Sequence, residues 1–401
     1  MQLRFDAIAE AQAGHRWQTL FKTHWPAYRA WYLAHGGASR PALDIAVKRL
    51  RRYMPELEST FDQLVALASG DETAARFLSC YRPPPYLISC SQAALRHTDG
   101  PLLVRNYDLH PCLNEGSILH SNWNGRRVMA SSEMLWGVAD GMNDAGLALS
   151  LAFGGRKVVG NGFGIPLILR YILEFCERTQ EAVEVLQRVP SHMAYNVTVL
   201  DQTGNLATVQ VGPDRPVAVT RNPQAANHQE RIEWAEHSRF THTLERERVL
   251  KQHLAAPHVR PATLLAAFLR PPLYSSNYQQ GFGTLYTVLY RPNTGQAEWH
   301  WPGTVWRQSF EYFQDGYKSV HYTKDGAKVL PQLTPCNKVL KLIDECTPHG
   351  RDKWAAWVRT GDLGLESLMR QTQRCITHKS VAQDDPIFAD LLDRISANQL
   401  Y

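Results

Sequence analysis

A cysteine and a short charged motif lie fifteen residues apart in the window CSQAALRHTDGPLLVRNYD, which runs from Cys90 to Asp108. An Asp-Gly pair, a frequent turn signal, divides this window into two β-prone segments. If the two segments form a hairpin, Cys90 meets Arg105 and Asp108 at one end of the strand pair. A neighbouring guanidinium favours the thiolate, which is the nucleophilic form of cysteine. The spacing therefore predicts a thiol nucleophile, and it fits equally a buried structural cysteine beside a surface Arg–Asp pair.

Further segments agree, in type and in order, with one known family. They are the motif Arg105-Asn106-Tyr107-Asp108, DGMNDAGL at 140–147, LRYILEFCERTQEA at 169–182, the hairpin segment 196–204 and ANH at 226–228. From about residue 10 to 310 the chain resembles the penicillin acyltransferase family, the acyl-CoA:6-aminopenicillanic-acid acyltransferases, and their relatives the choloylglycine hydrolases. These are N-terminal-nucleophile (Ntn) hydrolases, in which a cysteine becomes the first residue of the mature chain.

The resemblance implies a role for each matching residue. Cys90 would be the nucleophile, and cleavage after Ser89 would free its α-amino group as the general base, since such an amine titrates near pH ~8. Arg105 and Asp108 would hold the nucleophile and its amine. Asn227 would donate its side-chain NH2 into the oxyanion hole. The residue before the nucleophile is Ser89 where the penicillin enzymes have Gly, a less permissive residue for the strained cleavage step.

Three other asparagines are weaker candidates for the site. Asn222 is a competing alignment for Asn227, because it also follows a β-prone segment. Asn196 opens such a segment, and Asn106 belongs to the charged motif. The Ser-Arg pair that the family carries on a later helix matches either residues 238–239 or a drifted position at Arg246, and the sequence leaves this open.

The elements that must position these residues change character along the chain. Residues 1 to about 85 carry apolar residues at helical spacing and end at the proline run 83–85. Short β-prone segments, a helix over 164–189, further strands, a polar helix and a late hairpin follow. This order indicates an α+β protein, and the resemblance implies a four-layer αββα Ntn sandwich. We expect a helical propeptide or α chain over 1–89, a catalytic core or β chain over 90–325, and a helical extension over 326–401.

Composition excludes several classes of protein. The 401 residues carry a net charge of +5 and are 44% apolar and 20% charged, so disordered, collagen-like and coiled-coil chains are excluded. The charge is spread without a run of like charges, which argues against a nucleic-acid partner. The chain lacks an apolar stretch of the ~18 residues that a membrane span needs, and it starts without the apolar region of a secretory signal. Seven cysteines without a CxxC pair disfavour disulfides and zinc, so we expect a reduced, cytoplasmic protein.

The function expected from these observations is that of a cysteine Ntn amidohydrolase or acyltransferase. It would act on the C–N bond of a small-molecule amide, or on an acyl-CoA as acyl donor, through a thioester on Cys90. No metal or redox cofactor is implied, and a homo-oligomer is compatible with the sequence. Two alternatives stay open: a papain-like thiol hydrolase that uses a Cys–His pair, and an inactive, uncleaved homologue that serves as a binding protein.

Overall fold

The computed structural model describes residues 2–278, 282–324 and 326–330. The N-terminal part holds one strand and four α-helices: β1 (Gln2–Glu10), α1 (His15–Ala34), α2 (Leu43–Tyr53), α3 (Glu58–Leu67) and α4 (Glu72–Leu78). Six consecutive strands follow: β2 (Ser89–Leu95), β3 (Leu102–Leu109), β4 (Ser117–Ser121), β5 (Val128–Glu133), β6 (Gly137–Asn143) and β7 (Leu147–Phe153). Two helices come next, α5 (Ile165–Phe175) and α6 (Thr179–Arg188).

The second half of the described chain again consists of a group of strands, a group of helices and a further group of strands. Four strands follow α6: β8 (Tyr195–Asp201), β9 (Leu206–Val211), β10 (Ala218–Thr220) and β11 (Gln224–Ala225). Three helices follow these strands: α7 (Ala235–Phe240), α8 (Thr243–Leu254) and α9 (Pro261–Phe268). The last elements are β12 (Gly283–Arg291), β13 (Gln296–Trp301), β14 (Thr304–Ser309), β15 (Gly316–Thr323) and β16 (Gly326–Leu330). Among the described residues, none of the helices combines the length and the apolar character needed to cross a membrane.

The strands form two sheets that pack face to face. The large sheet has the order β10-β9-β8-β7-β6-β5-β4-β1-β15-β16, and the small sheet has the order β11-β2-β3-β12-β13-β14. Gln92 of β2 joins the two sheets, since its side-chain oxygen accepts a hydrogen bond from Ser150 Oγ of β7 at 2.6 Å and its NH2 donates to the Asn196 carbonyl of β8 at 3.1 Å. The inner faces of the two sheets therefore enclose both apolar and hydrogen-bonded polar side chains.

Helices cover the outer face of each sheet. Asn143 of β6 donates hydrogen bonds to the carbonyls of Leu173 and Cys176 at 2.9 and 2.7 Å, which fastens α5 to the large sheet. On the small sheet, α8 and α9 bury an apolar cluster formed by Ala93, Leu102, Val104, Leu250, Leu264, Phe268 and Leu289. The order helix, sheet, sheet, helix confirms the predicted α+β class and four-layer sandwich.

The N-terminal segment differs from the expected run of helices. β1 lies inside the large sheet, parallel to β4 and antiparallel to β15. Phe5 and Ala7 are buried while their neighbours are not, which is the period of two that a strand shows. The prediction of helix over these residues was wrong because partners more than 100 residues away supply the ladder. β16 likewise forms a strand where the helical extension was expected to begin, and residues 331–401 lie outside the described residues.

Candidate active site

The β2–β3 hairpin brings the predicted residues together. β2 pairs with β3 in antiparallel register, with Cys90 opposite Tyr107 and Gln92 opposite Arg105. Residues directly opposite each other in such a pair share a face of the sheet. Gln92 bonds to β7 of the large sheet, so Cys90, Arg105 and Tyr107 also lie on the inner face. The turn contains Gly100 at φ +112°, where a side chain would also collide with Asn293, so glycine is required there.

The Cys90 thiol contacts a buried guanidinium. Arg105 Nη2 donates a hydrogen bond to Cys90 Sγ at 3.0 Å, and Nη1 donates to a carboxylate oxygen of Asp140. Asp140 also accepts hydrogen bonds from the hydroxyls of Tyr286 and Tyr290, at 2.9 and 2.6 Å. The Arg105 and Asp140 side chains are both fully buried. The predicted thiol–guanidinium contact is therefore present, and Asp140, which no sequence pattern had marked as a site residue, anchors it.

Arg246 of α8 lies against the backbone on both sides of the Ser89–Cys90 peptide bond. Its Nη1 donates to the Cys90 carbonyl, and its Nη2 donates to Ser89 Oγ, both at 2.8 Å. Nη2 also donates to Asn227 Oδ1 at 2.6 Å. Arg239, the other arginine that the sequence had left open, is exposed and pairs with Glu236 on its own helix. Of the two arginines, only Arg246 contacts Ser89 and Cys90.

Asp108 lies on the outer face of the hairpin, beside Arg246 and behind the thiol. Arg246 Nη1 is 3.5 Å from Asp108 Oδ2, and Thr284 Oγ1 donates to Asp108 Oδ1 at 2.7 Å. Burial raises the pKa of Asp108 to about 6, an effect that the Arg246 charge, the Thr284 hydrogen bond and the Arg105 charge partly offset. Arg246 therefore contacts both the Asp108 carboxyl and the backbone carbonyl of Cys90.

Asn227 is hydrogen-bonded to the residues on both sides of the Ser89–Cys90 peptide bond. The Cys90 backbone N–H donates to Asn227 Oδ1 at 3.0 Å, and Ser89 Oγ donates to the same oxygen. Asn227 Nδ2 donates to the Phe153 carbonyl at 3.1 Å. The side chain contacts the Cys90 backbone, but its NH2 is engaged by a backbone carbonyl. Its oxygen, rather than its NH2, faces the peptide that the mechanism would cleave.

The other candidate asparagines lie away from the thiol. Asn222 is exposed on the link between β10 and β11. Asn106 is on the outer face of β3, where it donates to the carbonyls of Phe268 and Leu273. Asn196 donates to the carbonyls of Ala226 and His228, at 2.9 and 2.8 Å, and so holds the backbone on each side of Asn227. Asn196 therefore positions Asn227 and does not contact Cys90 itself.

The Cys90 thiol is held in its neutral form in this arrangement. Burial raises its pKa to about 11, although the Arg105 guanidinium opposes that rise. Burial also raises the pKa of the thiols of Cys80 and Cys176. His228, the residue after Asn227, bonds to Thr243 Oγ1 at 3.0 Å and lies 3.5 Å from Glu247, so it is not oriented as the base of a Cys–His pair. Among the described residues, the side chain that hydrogen-bonds to Cys90 Sγ is that of Arg105, which is not a base at neutral pH.

A partly open pocket lies beside Tyr107, the residue opposite Cys90, and has an empty volume of about 670 Å³ including its mouth. Its walls come from α1, the link before β2, β3, the loop before β4, and β5. The lining side chains include Tyr28, Trp31, Tyr86, Tyr107, Glu115 and Glu133. The pocket is thus built from residues on both sides of the Ser89–Cys90 bond. In the described part of the chain, no three His, Cys, Asp or Glu side chains are grouped as a metal site would require.

A buried thiol that is bonded to a carboxylate-anchored guanidinium, near the start of a strand in an αββα sandwich, is an arrangement suited to acyl transfer. Residues 95–306 match the model of the family described as acyl-coenzyme A:6-aminopenicillanic acid acyl-transferase. This match covers more than half of the 401 residues, and the chain belongs to that family. The matched segment includes Arg105, Asp108, Asn227 and Arg246 and begins five residues after Cys90. The resemblance predicted from the motifs is therefore confirmed.

Several solved structures show a limited similarity in chain course. A mutant conjugated bile acid hydrolase from Clostridium perfringens is 13% identical, with 59% of this chain and 97% of that chain covered and a TM-score of 0.39. Penicillin V acylase from Agrobacterium tumefaciens is 12% identical (60% and 98% covered, TM-score 0.36), and a Caenorhabditis elegans ortholog of N-acylethanolamine-hydrolyzing acid amidase is 14% identical (60% and 100%, TM-score 0.40). Similarity at this level says nothing about the substrate of this chain. Comparison with curated protein sequences finds no significant match.

The buried carboxyl of Asp108 makes stability depend on pH. Its pKa in the fold is about 6, above the ordinary 3.8, so between these values the folded chain keeps a proton that the unfolded chain has released. Stability therefore falls as the pH rises through this window, by on the order of 3 kcal/mol for a shift of about two units.

We expect Asp108→Asn to remove this contribution, measured by urea unfolding from pH 4 to 7 in a Cys90→Ala background that keeps a single chain. The slope should differ from that of the parent by the Asp108 contribution alone, because Glu133, His192 and His237 keep theirs. Asp62→Asn, at an exposed position of α3, is the control and should keep the slope. An unchanged slope in Asp108→Asn would mean that this carboxyl ionises as freely in the fold as in the unfolded chain.

Proposed function

We propose that this protein is a cysteine Ntn amidohydrolase or acyltransferase that cleaves itself before Cys90. The observation that carries the proposal is the environment of the Ser89–Cys90 peptide. Arg105 contacts the thiol, Arg246 binds the groups on both sides of the bond, and Asn227 accepts the Cys90 N–H. A peptide bond in a buried strand does not need three polar side chains for its own ladder. These three side chains are the contacts that we expect if the Ser89–Cys90 peptide also reacts.

In the maturation step, Cys90 Sγ attacks the Ser89 carbonyl carbon and the thiol proton passes to the departing nitrogen. The C–N bond breaks, which leaves a thioester between Ser89 and Cys90 Sγ and a free Cys90 α-amine. Water then hydrolyses the thioester to a Ser89 carboxylate and a thiol. Asn227 Oδ1, which accepts the peptide N–H in the intact chain, is placed to accept a hydrogen bond from the new amine.

In the catalytic cycle the freed α-amine would take the thiol proton. This base would compensate for the raised pKa of the Cys90 thiol in the intact chain. The thiolate attacks the carbonyl of a small-molecule amide, the amine product leaves, and the acyl group stays on sulfur as a thioester. Water or a second amine then accepts the acyl group. Acyl-CoA is an acyl donor that this chemistry admits, since its thioester can exchange directly with the Cys90 thiolate.

Fragments 1–89 and 90–401 should remain associated after cleavage. β1 lies between β4 and β15 in the large sheet, so it cannot leave without exposing both neighbours. On α1, Trp17 donates to the Leu135 carbonyl at 2.9 Å and the Tyr28 hydroxyl donates to Glu115. The N-terminal fragment is therefore a structural part of the enzyme and of its pocket.

The proposal is tested by intact mass spectrometry and N-terminal sequencing of the purified full-length protein. We expect two masses, those of residues 1–89 and 90–401, that co-elute in gel filtration under native conditions. A single full-length chain that hydrolyses amides would rule out the N-terminal nucleophile. A single chain without activity would favour the binding-protein alternative.

Replacing Asn227 by alanine should lower kcat by about a hundredfold or more while KM changes little. The side-chain oxygen of Asn227 holds the Cys90 N–H and the Ser89 hydroxyl, and a group that positions the reacting atoms affects kcat rather than substrate affinity. Asn222→Ala is the matched control, because Asn222 is an exposed asparagine five residues away, and it should keep normal kinetics. A raised KM at normal kcat in Asn227→Ala would instead make Asn227 a substrate-binding residue.

A further inference from the structure

Two carboxyl groups line the pocket beside Tyr107, and they differ in how well their oxygens are bonded. Glu115 is satisfied: it accepts from the Tyr28 hydroxyl, from the Leu135 backbone N–H at 2.8 Å and from Ser132 Oγ at 3.1 Å. Glu133 is only 6% exposed, and the hydroxyls of Tyr86 and Tyr107 are close enough to its carboxyl to stabilise the charged form, but its Oε2 makes no hydrogen bond of standard geometry among the described residues. The hydroxyl of its neighbour Tyr86 is buried and lacks such a partner as well.

A carboxyl oxygen in this position is costly to the fold on its own. Burial raises the pKa of Glu133 to about 7, although the nearby hydroxyls of Tyr86 and Tyr107 and the Arg105 charge oppose the rise. A buried polar group without a partner costs free energy, and a donor supplied by a ligand would recover it. Arg105 makes no hydrogen bond to Glu133 among the described residues: its Nη atoms donate to Asp140 and Cys90, and its buried Nε has no partner there.

The other walls of the pocket are aromatic. Tyr28 and Trp31 of α1 contact each other edge to face, with ring centroids 6.4 Å apart, and Trp31 contacts Tyr86 in the same way at 6.3 Å. Aromatic faces attract cations through their quadrupole, most strongly in a desolvated site that also holds a carboxylate. His24 lines the pocket as well and is the one imidazole in its described lining.

We propose that this pocket binds a positively charged amine of the substrate, with Glu133 as its counter-ion and Trp31, Tyr86 and Tyr107 as its aromatic walls. The inference rests on the proposed function and specifies its substrate class: amides or thioesters that carry an alkylammonium group near the scissile bond. Tyr107 reaches both the pocket and the strand position opposite Cys90, so a substrate held by its ammonium group would extend toward the thiol.

A pair of probes of equal shape tests the charge directly. Hexylammonium and 1-hexanol differ mainly in the terminal charge, and their Kd values are measured by calorimetry on the full-length protein at pH 8, where Glu133 is largely ionised. We expect hexylammonium to bind at least about tenfold more tightly than hexanol. Glu133→Gln, which keeps the shape of the side chain, should bring the two Kd values close together and leave that of hexanol unchanged.

Two further variants complete the experiment, one as a control and one as an independent test of the aromatic wall. Glu236→Gln removes an exposed carboxylate from α7 and should retain the tenfold preference. Trp31→Leu, on the half-buried surface of α1, should weaken hexylammonium binding more than hexanol binding, and it serves as the main test if melting curves show that Glu133→Gln does not fold. Hexanol binding as tightly as hexylammonium, or a preference that survives both Glu133→Gln and Trp31→Leu, would overturn the proposal.

Binding of these probes requires neither cleavage nor turnover, so this inference and the proposed function fail separately. A protein that binds hexylammonium through Glu133 but never frees or acylates Cys90 would contradict the proposed function alone. A protein that turns over amides at Cys90 yet prefers hexanol would contradict the ammonium site alone.

Discussion

Cys90→Ala should yield a full-length chain that neither cleaves itself nor turns over an amide. One sulfur attacks the Ser89 carbonyl and later the substrate carbonyl, so its removal stops both reactions, and mass spectrometry should show a single species of 401 residues. Cys90→Ser should cleave slowly and turn over poorly, because a hydroxyl is far less ionised than a thiol at neutral pH. Cys176→Ala, which removes a buried thiol at the end of α5, is the control and should be cleaved and active.

Self-cleavage and substrate turnover, the two reactions of Cys90, can be separated by co-expressing residues 1–89 and 90–401 as two chains. This pair presents the Cys90 amine without self-cleavage, once the initiator methionine has been removed. Activity in the pair, and its absence when the initiator methionine is kept before Cys90, would show that the free α-amine of Cys90 is required. An active Cys90→Ala protein would move the nucleophile to another residue.

Arg105→Met should destabilise the fold by about 3–5 kcal/mol and slow alkylation of Cys90 by iodoacetamide. The arginine is the charged partner of the fully buried Asp140, and removal of one member of a buried ion pair leaves the other charge uncompensated. It is also the donor to Cys90 Sγ, so the thiolate loses the cation that stabilises it. Turnover should fall by roughly a hundredfold or more.

The double variant Arg105→Met/Asp140→Asn distinguishes the structural role from the chemical one. Asn at 140 removes the uncompensated charge. Its Oδ1 can accept from one of the hydroxyls of Tyr286 and Tyr290 and its Nδ2 can donate to the other, so most of the stability should return in urea unfolding. Alkylation and turnover should stay low, because the donor to the thiol is still missing. Recovery of activity along with stability would show that Arg105 serves the fold and not the sulfur.

Local patterns in the sequence predicted the centre of the site correctly in its geometry. The Asp-Gly turn and two β-prone segments are features that neighbouring residues specify, and they bring Cys90 and Arg105 into contact. The same holds for the helix over 164–189, which the structure divides into α5 and α6. Each of these predictions depends on periods of two or 3.6 residues within one short segment.

Contacts between segments that are distant along the chain could not be predicted from the sequence. β1 was expected to be helical, although residues 2–7 alternate between polar and apolar as a strand does; its strand partners lie more than 100 residues away. Arg246 was one of two arginines on polar helices, and only the packing of α8 against β2 tells them apart. The NH2 of Asn227 was assigned to an oxyanion, whereas the Phe153 carbonyl and the Cys90 N–H set the orientation of its amide.

The sequence by itself determined the family, the layered α+β class and the cysteine with its neighbouring arginine, since motifs and turns are properties of adjacent residues. Only the tertiary structure decided that Asp140 anchors Arg105, that Arg246 holds the Ser89–Cys90 peptide and that α1 supplies a wall of the pocket. The physical reason is burial. A charge becomes costly, and so selects its partner, only where packing of distant segments has removed water.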